Sequence, residues 1–136
     1  MPSCVLRVSG ATAKVRGFIA QSHLQPSRIF WKGEPVNAAS KRIVAASGFN
    51  IELSAADSLA LQASQAVKFI RRHKSDLLLI KGLGFRAVSI DFGLYDLATE
   101  DRPWPSYFVP ASLVSQAAEL GATIELSFYG APPGAS

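Results

Sequence analysis

Three separate stretches of this chain alternate one apolar residue with one polar or small residue, and that period of two limits the fold more than anything else. In 4–9, Cys4, Leu6 and Val8 share one side, and Val5, Arg7 and Ser9 the other. In 85–95, Val88, Ile90, Phe92 and Leu94 oppose Ala87, Ser89, Asp91 and Gly93. In 123–128, Ile124, Leu126 and Phe128 oppose Thr123, Glu125 and Ser127. Successive strand side chains point to opposite faces, so each stretch reads as a strand with one buried and one wet side. A further β segment starts near Lys41. There Ile43 and Ala45 alternate, Ser47-Gly48 marks a turn or bulge, and Phe49, Ile51 and Leu53 share a face.

Helical spacing fills the gaps between the strands. Thr12 is placed to cap a helix over 13–22, with Val15, Phe18 and Ile19 on its apolar side. Asp57 or Ser58 caps a second, striped by Leu59, Ala63, Ala66, Val67 and Ile70. Lys68, Arg71, Arg72 and Lys74 fall at its C-terminal end, where cations complement the helix dipole. Residues 77–81 read either as a short helical turn or as a strand, since a short apolar run fits both. Pro110 suits the first turn of a last helix, with Leu113, Val114, Ala117 and Leu120 on its stripe and Gly121 at its end. His23 to Ala39 and 96–108 read as loops.

The order is β-α-β(β)-α-β-α-β. It predicts an α+β fold, a ferredoxin-like split βαβ sandwich with an antiparallel sheet and helices on one face. Leu6, Val8, Val88, Ile90, Phe92, Ile124 and Leu126 are expected in the helix-covered core. The other face, with Val5, Arg7, Ser89, Asp91, Glu125 and Ser127, is polar and is free to be solvated or to meet a partner. One domain over 1–130 is expected, with a Pro/Gly-rich tail at 131–136.

Composition removes several classes. With 49% hydrophobic and 18% charged residues in 136, the chain is not disordered. Its one cysteine, Cys4, allows no intramolecular disulfide and reads as a buried small hydrophobe. No apolar run approaches the roughly 18 residues of a membrane span. The first residues lack the pattern of a signal peptide. A cytoplasmic setting is the expectation. Charge is uneven. Residues 1–42 hold seven Lys and Arg against Glu34 alone, net +6, residues 43–75 are +2, and residues 76–136 are −4, for a whole of +4. A basic first third is either a footprint for an acidic partner or nucleic acid, or one half of a charge pairing within the domain or across a dimer.

Catalytic patterns are weak. His23 and His73 stand alone, so no metal is expected, and no cofactor motif is present. No serine or cysteine sits in a nucleophile motif. Asp91, Asp96, Glu100 and Asp101 could in principle supply paired carboxylates, and solvation explains the three in a loop. Gly82-x-Gly84 lacks the rest of a phosphate loop. Lys81 to Val88, KGLGFRAV, partly matches an RNA-recognition signature, but Leu83 and Val88 replace two of its aromatics.

LQPSRIFWKGEP, Leu24 to Pro35, resembles the loop after the first helix in a bacterial family catalogued as domain of unknown function 4279, whose pattern is roughly Leu-x-Pro-Ser/Thr, a gap, then Lys-Gly-Asp/Glu-Pro. SGFNIEL, Ser47 to Leu53, is similar to that family's Ser-Gly-aromatic strand start, and LGATIELSFY, Leu120 to Tyr129, to its closing helix-to-strand corner. The resemblance implies a small bacterial cytoplasmic domain and brings no catalytic residues.

Loop aromatics give the best lead to a site. Phe30, Trp31, Trp104, Tyr107 and Phe108 lie outside the expected elements. They are either satellite core under long loops or a hot spot for a protein partner. The candidate contact residues are Arg28, Trp31, Lys32, Trp104 and Tyr107. The function expected is a non-catalytic binding or interaction module, immunity-like or regulatory, with a homodimer or another protein as partner. An RNA-binding domain and a small enzyme using loop carboxylates are the alternatives.

Overall fold

The structure is a computed structural model that describes residues 2–95, 100–101 and 105–130. The expected tail at 131–136, Trp104 and Asp96 lie outside the described residues. The elements are β1 (Cys4–Gly10), α1 (Thr12–Gln21), β2 (Arg28–Phe30), β3 (Ser47–Ser54), α2 (Leu59–Arg72), α3 (Lys74–Leu83), β4 (Ala87–Leu94), α4 (Ala111–Leu120) and β5 (Thr123–Phe128). The fold is α+β, as expected.

The strands form one sheet in the order β2-β3-β1-β4-β5. β1 is central and antiparallel to both neighbours, β2 is antiparallel to β3, and β4 and β5 are parallel. This connectivity departs from the expected antiparallel sheet at one place, β5. Two split β-α-β units are present: β1 and β2 flank β3 and are joined by α1, and β3 and β4 flank β1 and are joined through α2 and α3. The last two strands are neighbours joined by α4, so the sheet is mixed rather than antiparallel. A β-strand that returns through a helix to its own neighbour comes back parallel, and side-chain alternation carries no information about that choice.

The core lies between one face of the sheet and the helices. Cys4, Leu6 and Val8 from β1, Phe49, Ile51 and Leu53 from β3, and Ile90, Phe92 and Leu94 from β4 are all buried there. They meet Val15 and Phe18 of α1, Ala63, Ala66 and Ile70 of α2, Leu77 and Ile80 of α3, and Leu113, Ala117 and Leu120 of α4. Phe49 stacks on Phe18 with ring centroids 4.4 Å apart and meets Phe85 edge-on at 5.7 Å. Ile124 is half-buried, and Leu126, expected in the core, is 36% exposed. The reason is position: β5 is an edge strand, so its apolar row is covered from one side only.

Local chemistry sets the element ends. The Ser58 side chain accepts from the Leu61 amide and caps α2, one of the two capping residues expected. Thr12 does not cap α1; the cap position is Ala11, and the Thr12 hydroxyl bonds Ser47 at 2.7 Å instead. The stretch 77–83 is helical, the C-terminal part of α3, rather than a strand. Lys74 opens α3 instead of closing α2, and its ammonium bonds Gln116 and Glu119 of α4. β2 lies inside the segment read as a loop, because three residues are too few to display alternation. Ile43 forms only an isolated bridge with Pro35, and Ser47-Gly48, expected as a turn or bulge, begins β3.

Candidate functional site

All four helices pack on one face of the sheet and, among the described residues, leave the opposite face uncovered; its register can be read row by row. In the first row Phe30, Gly48, Ser9 and Ala87 lie side by side. The second row runs Arg28, Asn50, Arg7, Ser89, Thr123 from β2 to β5. The third holds Glu52, Val5, Asp91 and Glu125. A row with two guanidinium groups thus lies one strand-repeat from a row with three carboxylates. Rows on one face are about 6.6 Å apart, twice the rise per residue.

The two rows touch at one place. Arg7 Nε donates to Asp91 Oδ2 at 3.2 Å, and the Ser127 hydroxyl donates to Asp91 Oδ1 at 2.6 Å. Asp91 is only 6% exposed although it lies on the uncovered face. Its charge is therefore held by two partners, as a buried carboxylate requires. Gly93 follows on the same face, and a Cβ there would come within 2.7 Å of the Tyr129 ring, so the glycine lets Tyr129 lie across β4.

Two hollows open at the basic end. One, of about 300 Å³, is a shallow trough over the first two rows, lined by Arg7, Phe30, Asn50, Ala87 and Ser89. The other, of about 390 Å³, lies beyond the end of the sheet and is lined by Gly10, Thr12, Ala46, Lys32 and Arg86. Arg28, Lys32 and Arg86 are all exposed, and among the described residues none has a carboxylate partner.

The contact residues expected from sequence do not form one cluster. Arg28 stands on β2, its guanidinium 4.7 Å from the centre of the Phe30 ring and bonded to the Val36 carbonyl at 3.3 Å. Trp31 follows β2, half-buried against the core, with Arg16 over its ring at 5.6 Å. The Lys32 amide bonds the buried Ser47 hydroxyl at 3.0 Å, while its side chain is exposed. Lys32-Gly33-Glu34-Pro35 makes the turn its composition implies, with Gly33 at φ 88°. Tyr107 lies at the other edge of the sheet, half-buried and edge-on to Phe128 at 5.3 Å, its hydroxyl without a partner among the described residues. Four strand spacings of about 4.8 Å separate the two edges. Arg28 and Lys32 thus belong to the uncovered face and its rim, whereas Trp31 and Tyr107 pack as satellites of the core. Sequence reading missed Asn50, Glu52 and Phe30 as members of the face and Arg86 at its rim. The alternation around Phe49 already put Asn50 and Glu52 there, but the pairing with Arg28 needed the register.

The catalytic alternatives meet the same geometry. Asp91 is committed to Arg7 and Ser127, and Glu100 and Asp101 are exposed. Among the described residues no group of three or more His, Cys, Asp or Glu side chains comes together, and no helix is long and apolar enough to cross a membrane. Burial pushes the Cys4 thiol far above its ordinary range, and the nearby Asp91 carboxylate adds to the shift. Phe85, from the partial RNA-recognition signature, turns its ring into the core against Phe49 rather than onto the sheet surface.

Comparison with protein-family models, with curated proteins and with solved structures finds no match.

Proposed function

We propose that this protein is a non-catalytic protein-binding module of regulatory or immunity-like type, and that its partner docks on the uncovered face of the sheet. The observation that carries this reading is the paired rows of opposite charge, Arg28 and Arg7 beside Glu52, Asp91 and Glu125, laid on one face of the sheet. Complementary charge gives a protein interface its register and excludes wrong partners. The trough is open and shallow, which fits a protein surface better than a small molecule enclosed on most sides. A cytoplasmic setting and kinship with the bacterial family of the Lys32–Pro35 loop belong to the same proposal.

The same face is ill suited to nucleic acid. Bases stack on free aromatic faces. Here the Phe30 ring is covered by Arg28, and the Trp31 ring by Arg16. Tyr129 stands at the acidic end, beyond Glu125, where phosphates are repelled. Trp31 packing against the core also moves the working surface away from the loop aromatics and onto the sheet.

The test is site-specific photo-crosslinking in cells that make the protein. A photoreactive residue replaces Ser89 in the trough, and in a second variant Leu61, which is 55% exposed on α2. Protein adducts at 89 and none at 61 are expected. Adducts to nucleic acid at 89, or equal protein adducts at both positions, would overturn the proposal.

A further inference from the structure

The charge rows identify a partner. We infer that the uncovered face docks on the same face of a second copy, about a twofold axis lying between the two sheets and perpendicular to the strands; this rests on the reading of that face as a protein-binding surface. A rotation about such an axis keeps each strand over its own counterpart and reverses the strand direction. With the axis between the second and third rows, the row of Arg28 and Arg7 in one copy lies over the row of Glu52, Asp91 and Glu125 in the other. Every such contact occurs twice, as an isologous interface requires.

Arg28 and Glu52 are the pair on which this turns. Asp91 is already neutralised by Arg7, whereas Arg28 and Glu52 are exposed and, among the described residues, unpaired. They sit on neighbouring strands one row apart, so the rotation brings Arg28 of each copy beside Glu52 of the other. A twofold axis parallel to the strands would instead set Arg7 against Arg7, which like-charge repulsion disfavours. The acidic row also accounts for a partner of mixed charge: a uniformly acidic surface would meet Arg28 favourably and Glu52 unfavourably.

The face is small. Four strands with some six residues each and the three residues of β2, at about 4.8 Å between strands and about 3.3 Å per residue, give a projected area of about 430 Å² per copy. That lies below the roughly 800 Å² per partner of a standard stable complex, so the dimer is weak and reversible.

Sedimentation equilibrium of the full chain with the two single variants R28E and E52R tests the inference. The parent is expected to dimerise at about 100 μM protein, and each variant alone to dimerise at least about tenfold more weakly, because it sets like charges together twice. An equimolar mixture of the two variants is expected to form a mixed dimer at least as tight as the parent, since both contacts then have opposite charge. Circular dichroism confirms that each variant is folded, and the mixed dimer does so independently. A parent that stays at 14.5 kDa, single variants that dimerise like the parent, or a mixture that stays monomeric would each overturn the second copy as partner. Crosslinks at 89 to a different protein would then still support the binding face.

Discussion

Phe49→Ala and Phe128→Ala remove the same ring from the same layer of the molecule, and the two should differ severalfold in cost. Phe49 is fully buried on β3, stacked on Phe18 and edge-on to Phe85. Its truncation leaves a cavity between sheet and helices, at about 3–5 kcal/mol, with the lost ring pairs pushing towards the upper half of that range. Phe128 points to the same side of the sheet from the edge strand β5 and is 49% exposed. Half of the roughly 1.5–3 kcal/mol for burying such a side chain, with a little more for its contact with Tyr107, gives about 1.5 kcal/mol. An unfolding entropy of about 2.1 cal/mol/K per residue over 136 residues converts about 4 and 1.5 kcal/mol into Tm decreases of about 14 and 5 °C. Urea titration followed by circular dichroism, with the m-value checked for constancy, measures both. Equal losses would refute the one-sided sheet with β5 at its open edge.

Three further outcomes follow from single contacts. At Gly48 a Cβ would lie 2.3 Å from the Val8 carbonyl oxygen, so Gly48→Ala should cost about 1–3 kcal/mol, whereas Gly82→Ala, in open space on α3, should gain about 0.4–1 kcal/mol in urea titrations. The His23 backbone amide, and after it the His23 ring, hold the Asp76 carboxyl below its ordinary value. A depressed folded pKa adds stability that is complete above the unfolded pKa and lost as pH falls through the folded one, so the deficit of Asp76→Asn should shrink in acid, as thermal melts at pH 7 and pH 3 will show. The raised Cys4 pKa leaves the buried thiol protonated, so a thiol reagent should label it only after the protein is unfolded in urea.

The parts of this molecule written locally were legible in its sequence. Leu6 and Val8, Ile90 and Phe92 are buried because strand side chains alternate, and the α2 stripe is buried because helix positions recur every three to four residues. What depends on distant pairing was not. β2 has three residues and gains its identity only from Asn50 and Gly48 across the sheet. Leu126 has the pattern of a core residue and the exposure of an edge residue, because nothing local says that β5 is outermost. Arg28 and Lys32 were visible as candidates by their cluster with the loop aromatics, yet the reason they matter differs. Arg28 joins Arg7 across two intervening strand pairings, while Trp31 turns inward. The polar face itself was foreseen, including Arg7, Asp91 and Glu125. The segregation of its charges into rows needed the register that only the assembled sheet fixes.

Backbone amide spectra recorded by NMR over a dilution series test the central claim most directly, that the uncovered sheet face is the surface this protein works with. The account predicts concentration-dependent shifts at Val5, Arg7, Asn50, Glu52, Ser89 and Thr123, with α2 and the exposed Phe108 unmoved. Shifts confined to Phe108, Phe128 and the helices, with the sheet face silent, would contradict it.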